Sequence, residues 1–175
     1  VLDLRSNPGG LLRSAVAIAE KFIEEDAVVV STRGRAHNGE ENVRRASGAL
    51  HYTDLDIAVL VNRGSASAAE IVAGCLQDHG RAVLVGERTF GKGSVQSVVG
   101  LQSKEDAAIR MTTAYYYTPA GRLIHNEGIE PDITVPVLPG EWRRIVVRRA
   151  HVETPEVFGE DELAEYESVV DHALE

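Results

Sequence analysis

One strand-to-helix turn in the sequence holds a serine that could act as a nucleophile. The segment Asn62–Glu70 follows an apolar stretch and precedes a helical pattern of apolar residues. A turn of this kind can present a hydroxyl at the edge of a sheet with backbone N–H groups beside it. Ser67 is also followed three residues later by Glu70, which is a capping-box signature, so its hydroxyl has a purely structural interpretation as well. The segment alone leaves both interpretations open.

A serine hydroxyl is a weak nucleophile at neutral pH and requires a positioned base. The segment Gly86–Gln96 offers Lys92, one of only three lysines among the 18 basic residues of the chain. A desolvated lysine, unlike an arginine, can lose its proton near neutral pH and then serve as a base. The alternatives are an ordinary surface turn and a phosphate-binding loop. The phosphate-loop spacing fails, because Gly93 follows Lys92 where serine or threonine is required.

The turn Asn7–Gly10 is a third candidate part of the same site. Its two glycines join a predicted strand to a predicted helix. Such a backbone can approach a ligand closely and leave N–H groups for an oxyanion. Ordinary turns have the same composition, so this signal is weak by itself.

These three segments lie between elements that alternate along the chain. Val1–Leu4 is predicted to be a buried strand, and Ser94–Tyr117 to be two or three strands. Arg33–Gly48 is polar and is predicted to be a loop or a mobile hairpin tip. The other predicted elements are a helix from Leu12 to near Asp26, strands Ala27–Thr32, Ile57–Val61 and Ala82–Gly86, and a helix from about Ala66 to Asp78 that ends at His79 and Gly80. This alternation predicts an α/β layer packing.

Composition and charge disfavour several classes of function. The formal net charge is -9, and residues 151–175 contain acids but no lysine or arginine. The remainder of the chain is balanced in charge and its bases are mostly scattered, which disfavours nucleic-acid binding. Cys75 is the single cysteine, so neither an internal disulfide nor a cysteine zinc site is predicted. No apolar stretch approaches the roughly 20 residues of a membrane-spanning helix.

The sequence changes in character from Pro139 onward. Glu141–Ala150 and Asp161–Ala173 are predicted to be helices, the second with an apolar stripe on an acidic background. That second helix is interpreted either as a surface helix packed on the body or as a docking helix for another domain or subunit. The chain opens on a predicted interior strand without Met or signal sequence, so we expect it to be a fragment of a longer protein.

Several segments, in this order, resemble one family of proteases. They are Asp3–Gly10, Val61–Glu70, Val85–Gln96, and the pair Tyr117–Gly121 and Gly128–Asp132. Together they resemble the carboxyl-terminal processing peptidases, also called tail-specific proteases, over about Val1–Val137. The shared order makes the resemblance specific, where each segment alone would not be.

The resemblance implies an α/β, crotonase-like fold and a serine endopeptidase with a Ser–Lys dyad. By position, Ser67 is the nucleophile, Lys92 is the general base, and Gln96 orients the lysine. The backbone N–H groups of Gly10 and Ala68 are the oxyanion donors. No metal or cofactor is expected.

The same resemblance implies a division into domains. Residues 1–137 are expected to be the C-terminal part of the protease domain, which is incomplete at its N-terminus. Residues 138–175 are expected to be an acidic helical extension. A PDZ domain that binds substrate C-termini is expected in the full-length chain.

Ser65, which precedes the nucleophile in the motif, is given no catalytic role.

The function implied is cleavage of protein or peptide substrates near their C-terminus through an acyl-enzyme. Nucleic acid is not expected as a partner, and a homo-oligomer is left open. The expected location is periplasmic, secreted, or membrane-associated on the extracytoplasmic side. The alternative is a non-catalytic substrate- or peptide-binding module that retains the protease fold, against which intact Ser67, Lys92 and Gln96 count. An acyl-CoA enzyme of the wider crotonase-like group is disfavoured, because such enzymes stabilise an enolate and require no Ser–Lys pair.

Overall fold

The computed structural model describes residues 1–34, 41–48, 52, 54–100 and 107–153. The chain divides into two compact units, Val1–Val135 and Pro136–Glu175. Its elements, in chain order, are β1 (Leu2–Asp3), α1 (Leu12–Ala19), β2 (Val28–Arg33), β3 (Glu41–Arg45), β4 (Ile57–Val61), α2 (Ala68–Asp78), β5 (Ala82–Gly86), β6 (Ser94–Gly100), β7 (Ala108–Tyr117), β8 (Ile133–Thr134) and α3 (Pro139–Glu153). The first unit is a mixed α/β structure.

A parallel sheet places the three candidate segments next to one another. Its strand order is β1-β4-β5-β8, and every neighbouring pair is parallel. Asp3 pairs with Leu60, and Val61 pairs with Gly86. Because parallel strands end at the same edge of a sheet, the segments that follow β1, β4 and β5 leave it side by side. These are the segments that hold Gly10, Ser67 and Lys92.

An antiparallel sheet with strand order β3-β2-β7-β6 continues from the loop that follows β5. Strand β6 begins at Ser94, two residues beyond Lys92, and pairs with β7. Its register shifts between Val95 and Gln96, which is a local irregularity of the β-bulge type. The loop after β5 therefore connects the two sheets.

Helix α2 is enclosed by elements of both sheets. Residues Ala68–Leu76 are all buried, and the helix contacts α1, β2 of the antiparallel sheet and β5 of the parallel sheet. A helix without a solvent face is apolar on all sides, which explains the sequence of α2. Within Ala68–Leu76, Glu70 is the charged exception, and its side chain is fully buried as well.

The regular core elements match the sequence-based expectations most closely. The predicted strands Ile57–Val61 and Ala82–Gly86 are confirmed as β4 and β5. Gly80 ends α2 with a φ of 62°, as a left-handed cap residue does. The predicted two or three strands between Ser94 and Tyr117 are two, β6 and β7.

Three expected boundaries were wrong. Helix α1 ends at Ala19 rather than near Asp26. The prediction was too long because the apolar spacing continues to Ile23, which lies in a turn after the helix and is buried in the core. Strand β3 lies within Arg33–Gly48, which was predicted to be a loop or a mobile hairpin tip, and it pairs antiparallel with β2; all of its residues are exposed, so it has no apolar alternation that sequence could reveal. The predicted buried strand Val1–Leu4 is reduced to β1, whose residues are only partly buried.

The second unit contains α3, which includes the predicted helix Glu141–Ala150. The other predicted helix, Asp161–Ala173, lies outside the described residues. Within the described ranges, no helix has the length and apolar character needed to span a bilayer. The same residues contain no group of three or more His, Cys, Asp or Glu that could hold a metal ion.

Candidate active site

The turn after β4 is fixed by the side chain of Ser65, which is fully buried. Its Oγ donates to the Leu4 carbonyl at 2.7 Å and accepts the Asn62 N–H at 3.0 Å. The Asn62 Oδ1 in turn accepts the N–H of Ser6 at 2.8 Å. These bonds attach the segment after β4 to the segment after β1, so the Ser65 hydroxyl has a structural role.

Ser67 stands at the N-terminus of α2 with an unusual backbone. Its φ of 57° and ψ of -116° differ from the extended conformation of ordinary N-cap residues. Ser67 and Glu70 have the relative placement of a capping box, and Glu70 Oε2 accepts the Ser67 N–H at 2.8 Å. The reciprocal half of the capping box brings the Glu70 backbone N–H to the Ser67 side chain without a full cap hydrogen bond, and that N–H donates to the Ser67 carbonyl at 2.9 Å. The capping interpretation therefore accounts for the Glu70 side chain and for part of the placement of Ser67, a residue that is partly exposed.

The glycine turn after β1 lies directly against the Ser67 turn. The Ala66 N–H donates to the Asn7 carbonyl at 2.9 Å. At Gly9, where φ is 99°, an added Cβ would lie 2.7 Å from Ala66 O, 2.8 Å from Ser67 Cβ and 2.9 Å from Ala68 N. Only glycine satisfies both this backbone conformation and this close approach. Gly10, the next residue, is thereby held beside the turn that carries Ser67 and Ala68.

An ion pair precedes this glycine turn. The Arg5 Nε donates to Asp3 Oδ1 at 3.0 Å, and Arg5 Nη2 donates to Asp3 Oδ2 at 2.8 Å. This hydrogen bonding to the Asp3 carboxylate raises the pKa of Arg5. The pair braces the chain between β1 and the Asn7–Gly10 turn.

The carboxylate of Glu70 connects the Ser67 turn to the loop after β5. Its Oε2 accepts the N–H groups of Ser67 and Lys92, each at 2.8 Å. Its Oε1 accepts the Gly91 N–H at 2.7 Å and the Thr89 hydroxyl at 2.5 Å. One buried side chain thus holds segments that are more than 20 residues apart in sequence.

The segment 124–129 supports the loop after β5 from the other side. The Asn126 N–H donates to the Gly91 carbonyl at 2.8 Å, and the Ile129 N–H donates to Thr89 Oγ1 at 2.7 Å. At Gly93 an added Cβ would lie 2.4 Å from the His125 backbone nitrogen. The motif around Gly128 therefore contributes to the site by positioning its neighbours.

Lys92 and Gln96 both have exposed side chains. The described residues of this chain do not supply the desolvation that the sequence-based hypothesis requires of Lys92, because its backbone is fixed while its side chain faces solvent. Gln96 lies beyond the register shift of β6, so simple strand alternation does not relate its direction to that of Lys92. The roles of both residues stay predictions.

Sequence reasoning missed two residues that organise this site. Glu70 was interpreted only as a capping partner of Ser67, and Thr89 was given no role. A buried acid in an otherwise apolar helix was the available signal for Glu70, because such a group requires hydrogen-bond donors around it. Thr89 carried no signal, since its partners Glu70 and Ile129 are distant in sequence.

Residues 1–135 match the sequence model of peptidase family S41, and this chain belongs to that family. A carboxy-terminal-processing protease of Bartonella bacilliformis is 51% identical over 135 residues, which are 77% of this chain and 30% of that protein. A carboxyl-terminal-processing protease of Synechocystis sp. is 46% identical over 135 residues, with the same two shares. The chain thus spans 30% of the length of these two relatives. The resemblance to carboxyl-terminal processing peptidases is confirmed.

Solved structures agree with this assignment. The photosystem II D1 C-terminal processing protease has a TM-score of 0.71 and 38% identity; the match covers 81% of this chain and 36% of that chain. Mature CPAF complexed with lactacystin has a TM-score of 0.62 and 17% identity; the match covers 75% of this chain and 38% of that chain. The second likeness concerns the fold alone. The α/β arrangement described above is therefore that of protease structures of this family.

Proposed function

We propose that this chain carries the catalytic residues of a C-terminal processing serine endopeptidase with a crotonase-like core. The observation that supports this best is the meeting of three segments at the carboxyl ends of β1, β4 and β5. Hydrogen bonds join these segments: Ala66 to the Asn7 carbonyl, and Glu70 to the N–H groups of Ser67 and Lys92. In the proposal they supply the oxyanion donors, the nucleophile and the base.

The proposed reaction begins when Ser67 Oγ attacks the carbonyl carbon of a substrate peptide bond. Uncharged Lys92 accepts the hydroxyl proton and then delivers it to the leaving amine, which leaves an acyl-enzyme. A water molecule attacks the ester with the same assistance and regenerates the hydroxyl. The N–H groups of Gly10 and Ala68 stabilise the oxyanion of each tetrahedral intermediate, and Gln96 hydrogen-bonds the Lys92 amine. No metal or cofactor takes part.

The exposed position of Lys92 places one demand on this mechanism. A lysine ammonium in water does not release its proton near neutral pH, so the base must be covered when it acts. We infer that the bound substrate, or chain that the present residues do not include, excludes water from Lys92. Expulsion of water on substrate binding also strengthens the electrostatic interactions of the oxyanion donors.

The partners and location of the whole protein are part of the same proposal. Relatives named for carboxyl-terminal processing support a protein substrate that is cleaved near its C-terminus. We propose a PDZ domain in the full-length chain as the element that binds this terminus. We further propose action on the extracytoplasmic side, in the periplasm, in secreted form or at the membrane, with homo-oligomerisation as an open feature.

Two substitutions in the full-length parent test the proposed dyad. Ser67→Ala and Lys92→Arg are each expected to lower kcat for peptide cleavage by at least about 1,000-fold, because each removes one member of the nucleophile–base pair. Arginine keeps the charge of lysine but cannot give up its proton, so it isolates the role of the base. The matched controls are Ser14→Ala on the exposed face of α1 and Lys21→Arg.

Thermal melting of all four variants separates catalysis from folding. The proposal expects the two dyad variants to melt near the temperature of the parent and the two controls to keep its activity. Full cleavage by Ser67→Ala and Lys92→Arg would contradict the proposed dyad. If the full-length parent binds peptides but cleaves none, the protein is instead the non-catalytic binding module.

A further inference from the structure

The Glu70 carboxylate accepts four hydrogen bonds although its side chain is fully buried. Two of the donors come from the proposed dyad itself: the backbone N–H of Ser67 and that of Lys92, which share Oε2 at 2.8 Å each. The other two, the Gly91 N–H at 2.7 Å and the Thr89 hydroxyl at 2.5 Å, share Oε1. Every bond except that of Ser67 reaches across at least 19 residues of sequence.

The four hydrogen bonds match the accepting oxygens of a carboxylate. Only a carboxylate offers two oxygens that accept on all sides and donate on none. A glutamine at the same place would direct an NH₂ group at two of the four donors, whichever way its amide turned. The charge is buried without leaving the four donors unsatisfied, and its place in the first turn of α2 is the place where a helix stabilises an anion.

We propose that Glu70 is a positioning residue that sets the distance between the Ser67 hydroxyl and the Lys92 amine. Its carboxylate acts by binding the backbone N–H of each residue to a single oxygen, and it takes no part in the reaction itself. The inference rests on the proposed function, because a distance between the two groups matters only if they react together. Displacing reacting groups by about 1 Å can lower a rate about 100-fold.

Glu70→Gln in the full-length parent tests this role. We expect kcat per folded enzyme to fall about 100-fold, since the Ser67 turn and the Lys92 loop separate. We expect KM for the same peptide to change by less than about threefold, because no residue proposed to bind the peptide is altered. A residue that only stabilised the fold would lower the melting temperature and the folded fraction without this change in kcat.

Asp132→Asn is the matched control. The Asp132 carboxylate also accepts a backbone N–H, that of Leu84 at 2.7 Å, together with the Gln77 amide at 2.9 Å. It lies beside a cavity at the amino ends of β4 and β5, whereas Glu70 lies at their carboxyl ends. The carboxylate-to-amide change is therefore the same, and we expect stability to fall while kcat per folded enzyme stays that of the parent.

A second variant keeps the test decisive if Glu70→Gln does not fold. Replacing the amide between Gly91 and Lys92 by an ester, with the α-hydroxy analogue of lysine, deletes the Lys92 N–H that Glu70 accepts and weakens the Gly91 carbonyl as the acceptor of the Asn126 N–H. The lysine side chain and the carboxylate both remain. We expect kcat to fall at least tenfold and KM to stay within about threefold of the parent value.

The outcomes separate the inference from the proposed function. If Ser67→Ala and Lys92→Arg abolish cleavage while Glu70→Gln or the ester variant keeps the kcat of the parent, Glu70 is not a positioning residue and the dyad stands. An equal loss of kcat in Glu70→Gln and Asp132→Asn also overturns the inference, because it indicates a general effect of packing. If Ser67→Ala and Lys92→Arg cleave normally, the proposed function fails and the positioning role fails with it.

Discussion

Two serines only two positions apart, Ser65 and Ser67, differ in how the fold places them. The Ser65 hydroxyl donates and accepts inside a buried turn, so its removal would leave the Leu4 carbonyl and the Asn62 N–H without this partner. Ser67 is partly exposed and has a left-handed φ of 57°. Strained backbone of this kind persists where the surrounding contacts hold it, and it is frequent at reactive sites.

Gly9→Ala is expected to separate the Asn7–Gly10 turn from the Ser67 turn. The added methyl group would meet Ala66 O, Ser67 Cβ and Ala68 N at less than 3 Å, on a backbone with a φ of 99°. We expect the free energy of unfolding, measured in urea, to fall by about 1–3 kcal/mol, and kcat of the full-length parent to fall about 100-fold. Gly10→Ala is the control for stability, because no atom lies within 4 Å of its added Cβ. Equal destabilisation by both substitutions would contradict the close approach at Gly9.

Cys75 predicts a pH dependence of stability. Burial, with a smaller effect of the Asp78 charge, raises the pKa of the Cys75 thiol to about 12 from an ordinary value of 9.0. Above about pH 9 the unfolded chain therefore loses a proton that the folded chain retains, so the free energy of unfolding falls as pH rises from 9 toward 12. Urea titrations between pH 8 and pH 11 measure this fall. Cys75→Ala lacks the titrating group and should show a smaller slope; equal slopes would contradict the burial of the thiol.

At the scale of elements, the sequence predicts what depends on apolar pattern and misses what depends on contacts between distant segments. The strands β4 and β5 are apolar runs bounded by turns, so their limits could be found from sequence alone. Strand β3 is polar and exposed on every residue, and only its pairing with β2 makes it a strand. For the site, position along a family motif supplied Ser67 and Lys92, whereas the bonds of Glu70 to the loop after β5 required the folded chain.

Strand β5 offers a comparison of neighbours that differ mainly in burial. Leu84 is fully buried, whereas Val83 is 46% exposed. We expect Leu84→Ala to lower the free energy of unfolding by about 2–5 kcal/mol, because it leaves a cavity between the parallel sheet and α2. Val83→Ala is expected to change it by less than about 1 kcal/mol. Chemical denaturation of both variants checks this, and similar losses would contradict the orientation of β5.

At the scale of the whole molecule, the matched region spans less than a third of the first two relatives, yet it includes all five residues of the proposed site. The segments that carry Gly10, Ser67, Ala68 and Lys92 follow three strands of one sheet and are joined by hydrogen bonds within this chain, whereas Gln96 lies in β6 of the antiparallel sheet. What the described residues do not supply is cover for the Lys92 side chain. In the proposed mechanism, assembly of the reacting groups and exclusion of water from them are therefore distinct requirements.

If the substrate covers Lys92, a bound peptide is expected to protect the Lys92 amine from reagents in solvent. In the full-length parent with Ser67→Ala, which binds a peptide without cleaving it, a saturating peptide should slow the acetylation of Lys92 by an amine-reactive reagent, because the covered amine no longer meets solvent. Mass spectrometry of each lysine measures the rates, and Lys21, which follows α1, serves as the internal reference whose rate the peptide should leave unchanged. A Lys92 that reacts equally fast with and without peptide would show that the substrate does not cover it. If the lysine reacts slowly in the absence of peptide as well, chain beyond the present residues supplies the cover, and the substrate then enters a site that is already protected from water.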